Sequence, residues 1–73
     1  MTNITEEIKK VFVERLEELM NGKNNSEWSR ELKIPDTTVS AWKLKRSLPS
    51  IEYLVMLAKK YNVTIDYLVG LED

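Results

Sequence analysis

The stretch that decides the fold is "NNSEWSRELKIPDTTVSAWK", residues 24–43. Apolar residues recur at helical spacing on each side of the Ile34-Pro35 pair. Because a residue before proline is pushed out of helical conformation, this pair separates two short helices. Two short helices joined by a few residues form a helix-turn-helix unit. Ser29, a small residue in the middle of the first helix, would let the two helices cross closely.

Apolar side chains fill the positions that must face inward in such a unit. Trp28 and Leu32 are four residues apart and share one face of the first helix, and Val39 and Trp42 share one face of the second. We therefore expect both tryptophans to be core residues rather than platforms for base stacking.

The rest of the chain continues the helical pattern. Apolar residues from Ile4 to Leu19 follow helical spacing, and Asn21-Gly22 is a stop signal. No stretch alternates convincingly at period two. The sequence therefore predicts an all-α, compact, five-helix domain over residues 1–73, with helices at about 4–21, 25–33, 36–45, 50–61 and 64–70.

Charge is distributed unevenly along the 73 residues, whose net charge is −1. Residues 1–22 carry three cations and five carboxylates, residues 23–46 six cations and three carboxylates, and residues 47–73 two cations and four carboxylates. A basic middle between acidic ends suggests a polyanionic partner that faces the middle. A mixed, solvated surface is the alternative.

The composition argues against several other classes of protein. The chain has no Cys and no His, so it lacks thiolate ligands, the commonest general base and the commonest nitrogen ligand of metals. The sequence predicts no enzyme, no metal and no cofactor. No apolar run reaches signal-peptide or membrane-span length, so we expect a cytoplasmic protein without a membrane partner.

The order and spacing of three stretches resemble a known family. "ERLEELM", "TTVSAWK" and "PSIEYLVMLAKKYNVTIDYLVG" are similar to the Cro/repressor-type helix-turn-helix domains of phage and bacterial regulators, the Xre family. The resemblance covers nearly the whole chain. It implies a lambda-repressor-like fold and sequence-specific binding of double-stranded operator DNA as a homodimer.

The exposed face of the second helix and its surroundings supply the candidate contacts. Small side chains there can enter a major groove, and nearby cations and hydroxyls can meet phosphates. The base readers that the resemblance implies are Asp36, Thr37, Ser40 and Ala41. The phosphate contacts are Asn25, Thr38, Lys43, Lys45, Arg46 and Ser50. Asp36 is also a candidate helix cap.

Two residues depart from the family pattern in this unit. Lys33 occupies the turn position where glycine is common, so it must accept a left-handed or bridge conformation at a cost of about 1 kcal/mol. Pro35 occupies the usual serine cap position, which favours a helix start at Asp36. The common Gln and Arg readers are missing, so we expect modest direct readout, with DNA shape and dimer spacing adding specificity.

The C-terminal segment is unusually apolar. Part of it must cover the core, and the rest is a candidate dimer seam, made of Ile65, Tyr67, Leu68 and Leu71. Domains of this type commonly run into a linker here. The sequence therefore leaves open whether residues 1–73 are a whole protein or the N-terminal domain of a longer one.

These features predict a DNA-binding transcriptional regulator, most simply a phage or prophage-type repressor. The alternative is a protein-interaction module of the same fold, such as an antitoxin or an anti-repressor partner. The low net charge keeps this alternative open.

Overall fold

Capping residues set the limits of the five helices in this chain. The computed structural model describes residues 3–72; Met1, Thr2 and Asp73, which the predicted domain includes, lie outside the described residues. The helices are α1 (Ile4–Met20), α2 (Asn25–Leu32), α3 (Asp36–Lys43), α4 (Ile51–Tyr61) and α5 (Ile65–Val69). None of them is long and apolar enough to cross a membrane.

Side-chain caps begin four of these helices. The side chains of Asn3, Asn24, Ser50 and Thr64 accept hydrogen bonds from backbone N–H groups in the first turns of α1, α2, α4 and α5. At the start of α2, the Glu27 carboxylate accepts a hydrogen bond from the backbone N–H of Asn24, which completes a capping box. These caps satisfy donors that a helix leaves without partners at its start.

The observed helices are slightly shorter than the predicted ranges because those ranges include capping residues. Asn21 and Lys33 end α1 and α2 in left-handed conformation, and Ser50 precedes α4 in extended conformation. The largest difference is at α3, which ends at Lys43 instead of residue 45. Lys45 has a φ of 60°, which no helix interior accepts.

Apolar faces of all five helices meet in one core. Helix α1 packs against α3 and α5, α2 against α3, and α4 against α5. The burial of both tryptophans is confirmed, with Trp28 1% and Trp42 2% exposed. The buried residues are Phe12, Val13, Leu16, Met20, Trp28, Leu32, Ile34, Val39, Trp42, Leu54, Leu57 and Leu68.

Trp42 joins three helices at the centre of the core. Its ring lies edge-on to Phe12 of α1 and to Tyr53 of α4, with centroids 5.3 Å and 5.5 Å apart. Such edge-to-face pairs add roughly 0.5–1.5 kcal/mol each beyond the area they bury. Trp42 therefore anchors the inner face of α3 to α1 and α4, and the opposite face of α3 stays in solvent.

A polar network of Lys23, Glu31 and Tyr61 holds α2 against the neighbouring elements. The Lys23 ammonium and the Tyr61 hydroxyl both donate to the Glu31 carboxylate, each at 2.5 Å. These two hydrogen bonds lower the pKa of Glu31. Burial and the bond to this carboxylate raise the pKa of Tyr61 far above its ordinary value. The network connects the α1–α2 loop, α2 and the end of α4.

Candidate nucleic-acid interface

The turn between α2 and α3 has the geometry that the sequence predicted for its lysine. Lys33 adopts φ 58° and ψ 44°, which is left-handed. The N–H of Ile34 donates to the Ser29 carbonyl at 3.2 Å, and the Ser29 hydroxyl donates to the Ile34 carbonyl. The small side chain at residue 29 therefore closes the turn as well as leaving room for the crossing.

Helix α3 starts at Asp36, as the position of Pro35 favoured. Pro35 occupies the N-cap and makes no side-chain cap bond, so the expectation that Asp36 caps this helix is corrected. Asp36 lies instead in the first turn, exposed, where the positive end of the helix dipole favours its carboxylate. Among residues 3–72 no side chain or backbone group donates to its carboxylate oxygens, so they can accept hydrogen bonds from a ligand.

A hydrogen bond joins the start of α2 to the exposed face of α3. The Asn25 side-chain amide donates to the Ser40 hydroxyl oxygen at 3.1 Å. This bond fixes the Ser40 oxygen as an acceptor, which leaves its O–H available to donate to a base or a phosphate. Asn25, a predicted phosphate contact, thus braces the middle of α3.

A groove of about 330 Å³ runs between α3 and the segment that leads into α4. Thr37, Thr38 and Ala41 line it from α3, and Ser47 and Ser50 from the opposite side. Thr37 is exposed, while Thr38 and Ala41 are half-buried. Hydroxyl groups on both walls can donate to an anionic backbone and accept from a base edge.

The start of α4 faces this groove through its cap. The Ser50 hydroxyl accepts from the N–H of Tyr53 at 3.3 Å, which satisfies one of the first donors of the helix. The N–H groups of Ile51 and Glu52 have no acceptor inside the helix, because helix geometry provides none at these positions. They can meet a phosphate at the positive end of the helix dipole.

The end of α3 presents two cations from a rigid turn. The N–H of Lys45 donates to the Trp42 carbonyl at 3.0 Å, and the N–H of Arg46 donates to the Ala41 carbonyl at 2.8 Å. This pair of bonds is a Schellman motif, here with Lys45 in the left-handed position that glycine usually takes. Both side chains are exposed and available to phosphate.

Lys43 points elsewhere. Its ammonium lies over the Trp28 ring, 4.3 Å from the centroid, in a cavity that Glu17, Gly22 and Lys23 also line. The geometry is that of a cation–π contact between α3 and α2. The side chain therefore turns from the exposed face of α3 toward α1 and α2, and its phosphate contact stays a prediction, which DNA binding by Lys43→Ala tests.

The structure leaves only part of the candidate dimer seam at the surface. Leu68 is completely buried in the core of its own chain and has no surface to offer a second subunit, so its assignment to the seam is corrected. Ile65 and Tyr67 are half-buried against the same core. The Tyr67 ring lies 4.4 Å from the Arg15 guanidinium. Only Leu71 among the four assigned residues is largely exposed, at 77%.

Sequence reasoning did not assign two residues that the fold brings to this surface. Ser47 lines the groove, and Leu44 continues the exposed face of α3. The signal for Leu44 was its position seven residues after Thr37, which is nearly two helical turns. Ser47 gave no comparable signal, because it follows a turn whose path depends on tertiary packing.

Comparisons with known proteins agree with this geometry. The model of the family described as "Bacteriophage CI repressor helix-turn-helix domain" matches residues 11–73. The chain belongs to this family. Membership of the CI repressor helix-turn-helix family confirms the resemblance to Cro/repressor-type domains and the all-α, five-helix fold class. It also makes the chain a DNA-binding domain of the type found in transcription regulators.

A relative with a longer chain is similar over most of this sequence. The chain is 33% identical over 64 residues to the HTH-type transcriptional activator BcrR of Enterococcus faecalis. The alignment covers 85% of this chain but only 31% of that protein, so the chain spans about a third of the relative's length. No solved structure matches the chain significantly.

Proposed function

We propose that this chain binds a specific operator in double-stranded DNA, with α3 in the major groove, and regulates transcription as a phage or prophage-type repressor. One observation carries the proposal: the face of α3 opposite the buried Trp42 presents the small polar side chains of Thr37 and Ser40, and Asn25 braces it through Ser40. A helix with such a face fits a major groove without steric conflict.

Contacts to the DNA backbone would surround this face. Lys45 and Arg46 approach one phosphate group from the end of α3, while Ser50 and the first N–H groups of α4 approach another. Thr38 lines the groove between them. Asp36, Thr37, Ser40 and Ala41 are the proposed base readers, with the methyl groups of Thr37 and Ala41 suited to thymine.

A homodimer on DNA is part of the proposal, because two half-sites multiply the weak affinity of one module. The surface proposed for the second copy is an apolar groove of about 600 Å³ between α1 and α5. Ile4 and Leu71, 70% and 77% exposed, line it together with Val69. A pair of copies would cover these side chains without disturbing α3.

The test is fluorescence anisotropy of labelled duplexes, first selected from a random library and then titrated across a salt series. We expect selective binding whose affinity falls steeply with salt, and a log–log slope reduced by roughly two for each bound subunit in the double variant Lys45→Ala/Arg46→Ala. Lys59→Ala/Lys60→Ala removes the same charge from the exposed side of α4 and should leave the slope unchanged.

Failure of this test has a defined meaning. A folded sample that binds no duplex at low salt would contradict operator binding by this chain. It would favour the alternative of a protein-interaction module of the same fold. Equal loss of slope in both double variants would contradict the proposed position of the DNA.

A further inference from the structure

Leu44 is an apolar side chain in the middle of a polar, DNA-facing surface. It is 60% exposed and belongs neither to the core of the described residues nor to the half-buried side chains packed against that core. A single exposed leucine is common on protein surfaces. Leu44 differs because its neighbours on the same face of α3 are too small to shield it.

The geometry places Leu44 on the same stripe as the proposed base readers. Its N–H donates to the Ser40 carbonyl at 2.9 Å, so the helical path continues to this residue. It follows buried Trp42 by two residues, which turns it roughly 160° away from the core. Thr37 and Leu44 are seven residues apart, and Ser40 and Ala41 each lie three or four residues from both, so the four share one broad face of the helix.

The turn that follows holds the backbone of Leu44 in place. The N–H groups of Lys45 and Arg46 donate the two Schellman bonds, which fix the chain directly after Leu44. The side chains of the same two residues are the cations proposed to bind phosphate. A leucine held beside phosphate-binding cations would be carried into the groove when they engage the backbone. Burial of its side chain there is favourable only against an apolar part of the DNA.

The major groove offers one apolar group on an unmodified base, the 5-methyl of thymine. We infer that Leu44 packs against a thymine methyl group and makes the operator selective for thymine at that position in each half-site. This inference rests on the proposed function. It adds a specificity-determining residue that makes no hydrogen bond, on a face whose hydroxyl groups discriminate bases weakly.

The test replaces thymine by uracil, one position at a time, in the operator obtained by selection. Uracil lacks only the methyl group, so pairing and hydrogen-bonding edges are unchanged. With the unchanged protein, the position in each half-site that Leu44 contacts should lose roughly three- to five-fold in affinity per methyl, the value expected for burying one such group. With Leu44→Ala, uracil at that position should cost nothing.

Two controls make the result specific. Leu48→Ala removes another exposed leucine, 39% exposed, from the α3–α4 segment and should keep the full uracil penalty. Thermal unfolding of each variant shows that the fold is retained. If uracil costs the same in Leu44→Ala as in the unchanged protein, or nothing at any position in either, the inference is wrong while operator binding stands. Absence of any duplex binding would refute the proposed function as well.

Discussion

Single residues in this chain adopt conformations that their type does not favour. Four residues other than glycine have positive φ in the described part of the chain: Asn21, Lys33, Lys45 and Asn62. Asparagine tolerates the left-handed region better than lysine, because its short side chain can bond locally. Lys33 therefore bears a conformational cost at the end of α2, and Lys45 bears one directly after α3.

Replacement of Lys33 by glycine should stabilise the domain. The left-handed strain of about 1–2 kcal/mol disappears, partly offset by the greater freedom of glycine in the unfolded chain. We expect a net gain of about 0.5–1 kcal/mol in the free energy of unfolding, measured by urea denaturation. Lys33→Ala also removes the exposed side chain but keeps the strain, so it should give no gain. Equal gains in both variants would assign the effect to charge.

Lys43 and Lys45 should behave differently in DNA binding although they lie two residues apart. Lys45 is exposed, while the Lys43 ammonium contacts the Trp28 ring. Lys45→Ala should reduce the log–log salt slope of binding by about one for each bound subunit, and Lys43→Ala should leave it unchanged. Instead, Lys43→Ala should lower stability by about 0.5–1 kcal/mol through loss of the cation–π contact. Equal slopes in the two variants would contradict this assignment.

At the scale of elements, helix ends position the candidate site. Ser50 begins α4 beside the groove, and the Schellman turn ends α3 with its cations exposed. Gly70 has the corresponding role at the end of α5, where it has a φ of 92° and lies against Val11 of α1. The close approach of α1 and α5 there and the positive φ both favour a residue without a β-carbon.

Gly70→Ala should destabilise the domain more than Gly22→Ala. A β-carbon at residue 70 would lie 3.0 Å from the Val11 Cγ1 atom, whereas one at residue 22 would meet nothing within 4 Å. Both residues have positive φ, so both variants lose about 1 kcal/mol of conformational preference. The additional contact should roughly double this loss for Gly70→Ala, measured by urea denaturation. Equal losses would show that α5 moves freely from α1.

At the scale of the whole molecule, two features connect distant parts of the chain. The Glu31 carboxylate joins the α1–α2 loop, α2 and α4 through Lys23 and Tyr61. The apolar groove between α1 and α5 is the surface proposed for a second copy. The Glu31 network affects the stability of a single copy, and the groove affects the proposed association of two copies.

Protonation of Glu31 should weaken the fold in acid. Its pKa is lower in the folded chain than in the unfolded one, because the charged form is hydrogen-bonded to Lys23 and Tyr61. The stabilisation is therefore complete above the unfolded pKa of about 4.3 and is lost as pH falls through the folded value. In Glu31→Gln, stability should depend less on pH between about 3 and 5, measured by urea denaturation. Glu14→Gln, at an exposed carboxylate of α1, should keep the full pH dependence.

Loss of the apolar groove should affect paired half-sites only. Leu71→Ser removes the most exposed apolar side chain of the proposed seam without adding charge. We expect at least ten-fold weaker binding to a two-half-site operator, since avidity commonly contributes about 10²–10⁴, and unchanged affinity for a single half-site. Val55→Ser, at an exposed apolar residue of α4, is the matched control. Unchanged binding to the paired site in Leu71→Ser would place the dimer seam elsewhere.

The sequence by itself determined the parts of this protein that depend on local chemistry. Helical spacing of apolar residues, together with the breaks at Asn21-Gly22 and Ile34-Pro35, predicted the five helices and their ends to within two residues. The same spacing placed Trp28 and Trp42 inside. These features follow from short-range periodicity and capping, which neighbouring residues encode.

Only the tertiary structure decided which side chains meet. The bond from Asn25 to Ser40 and the contact of Lys43 with Trp28 each join side chains from different helices. Leu68 of α5 is buried in the core that the helices share. They depend on crossing angles and on the competition of several partners for one side chain. Sequence spacing contains neither, so the helices and their caps were predictable while part of the candidate interface was not.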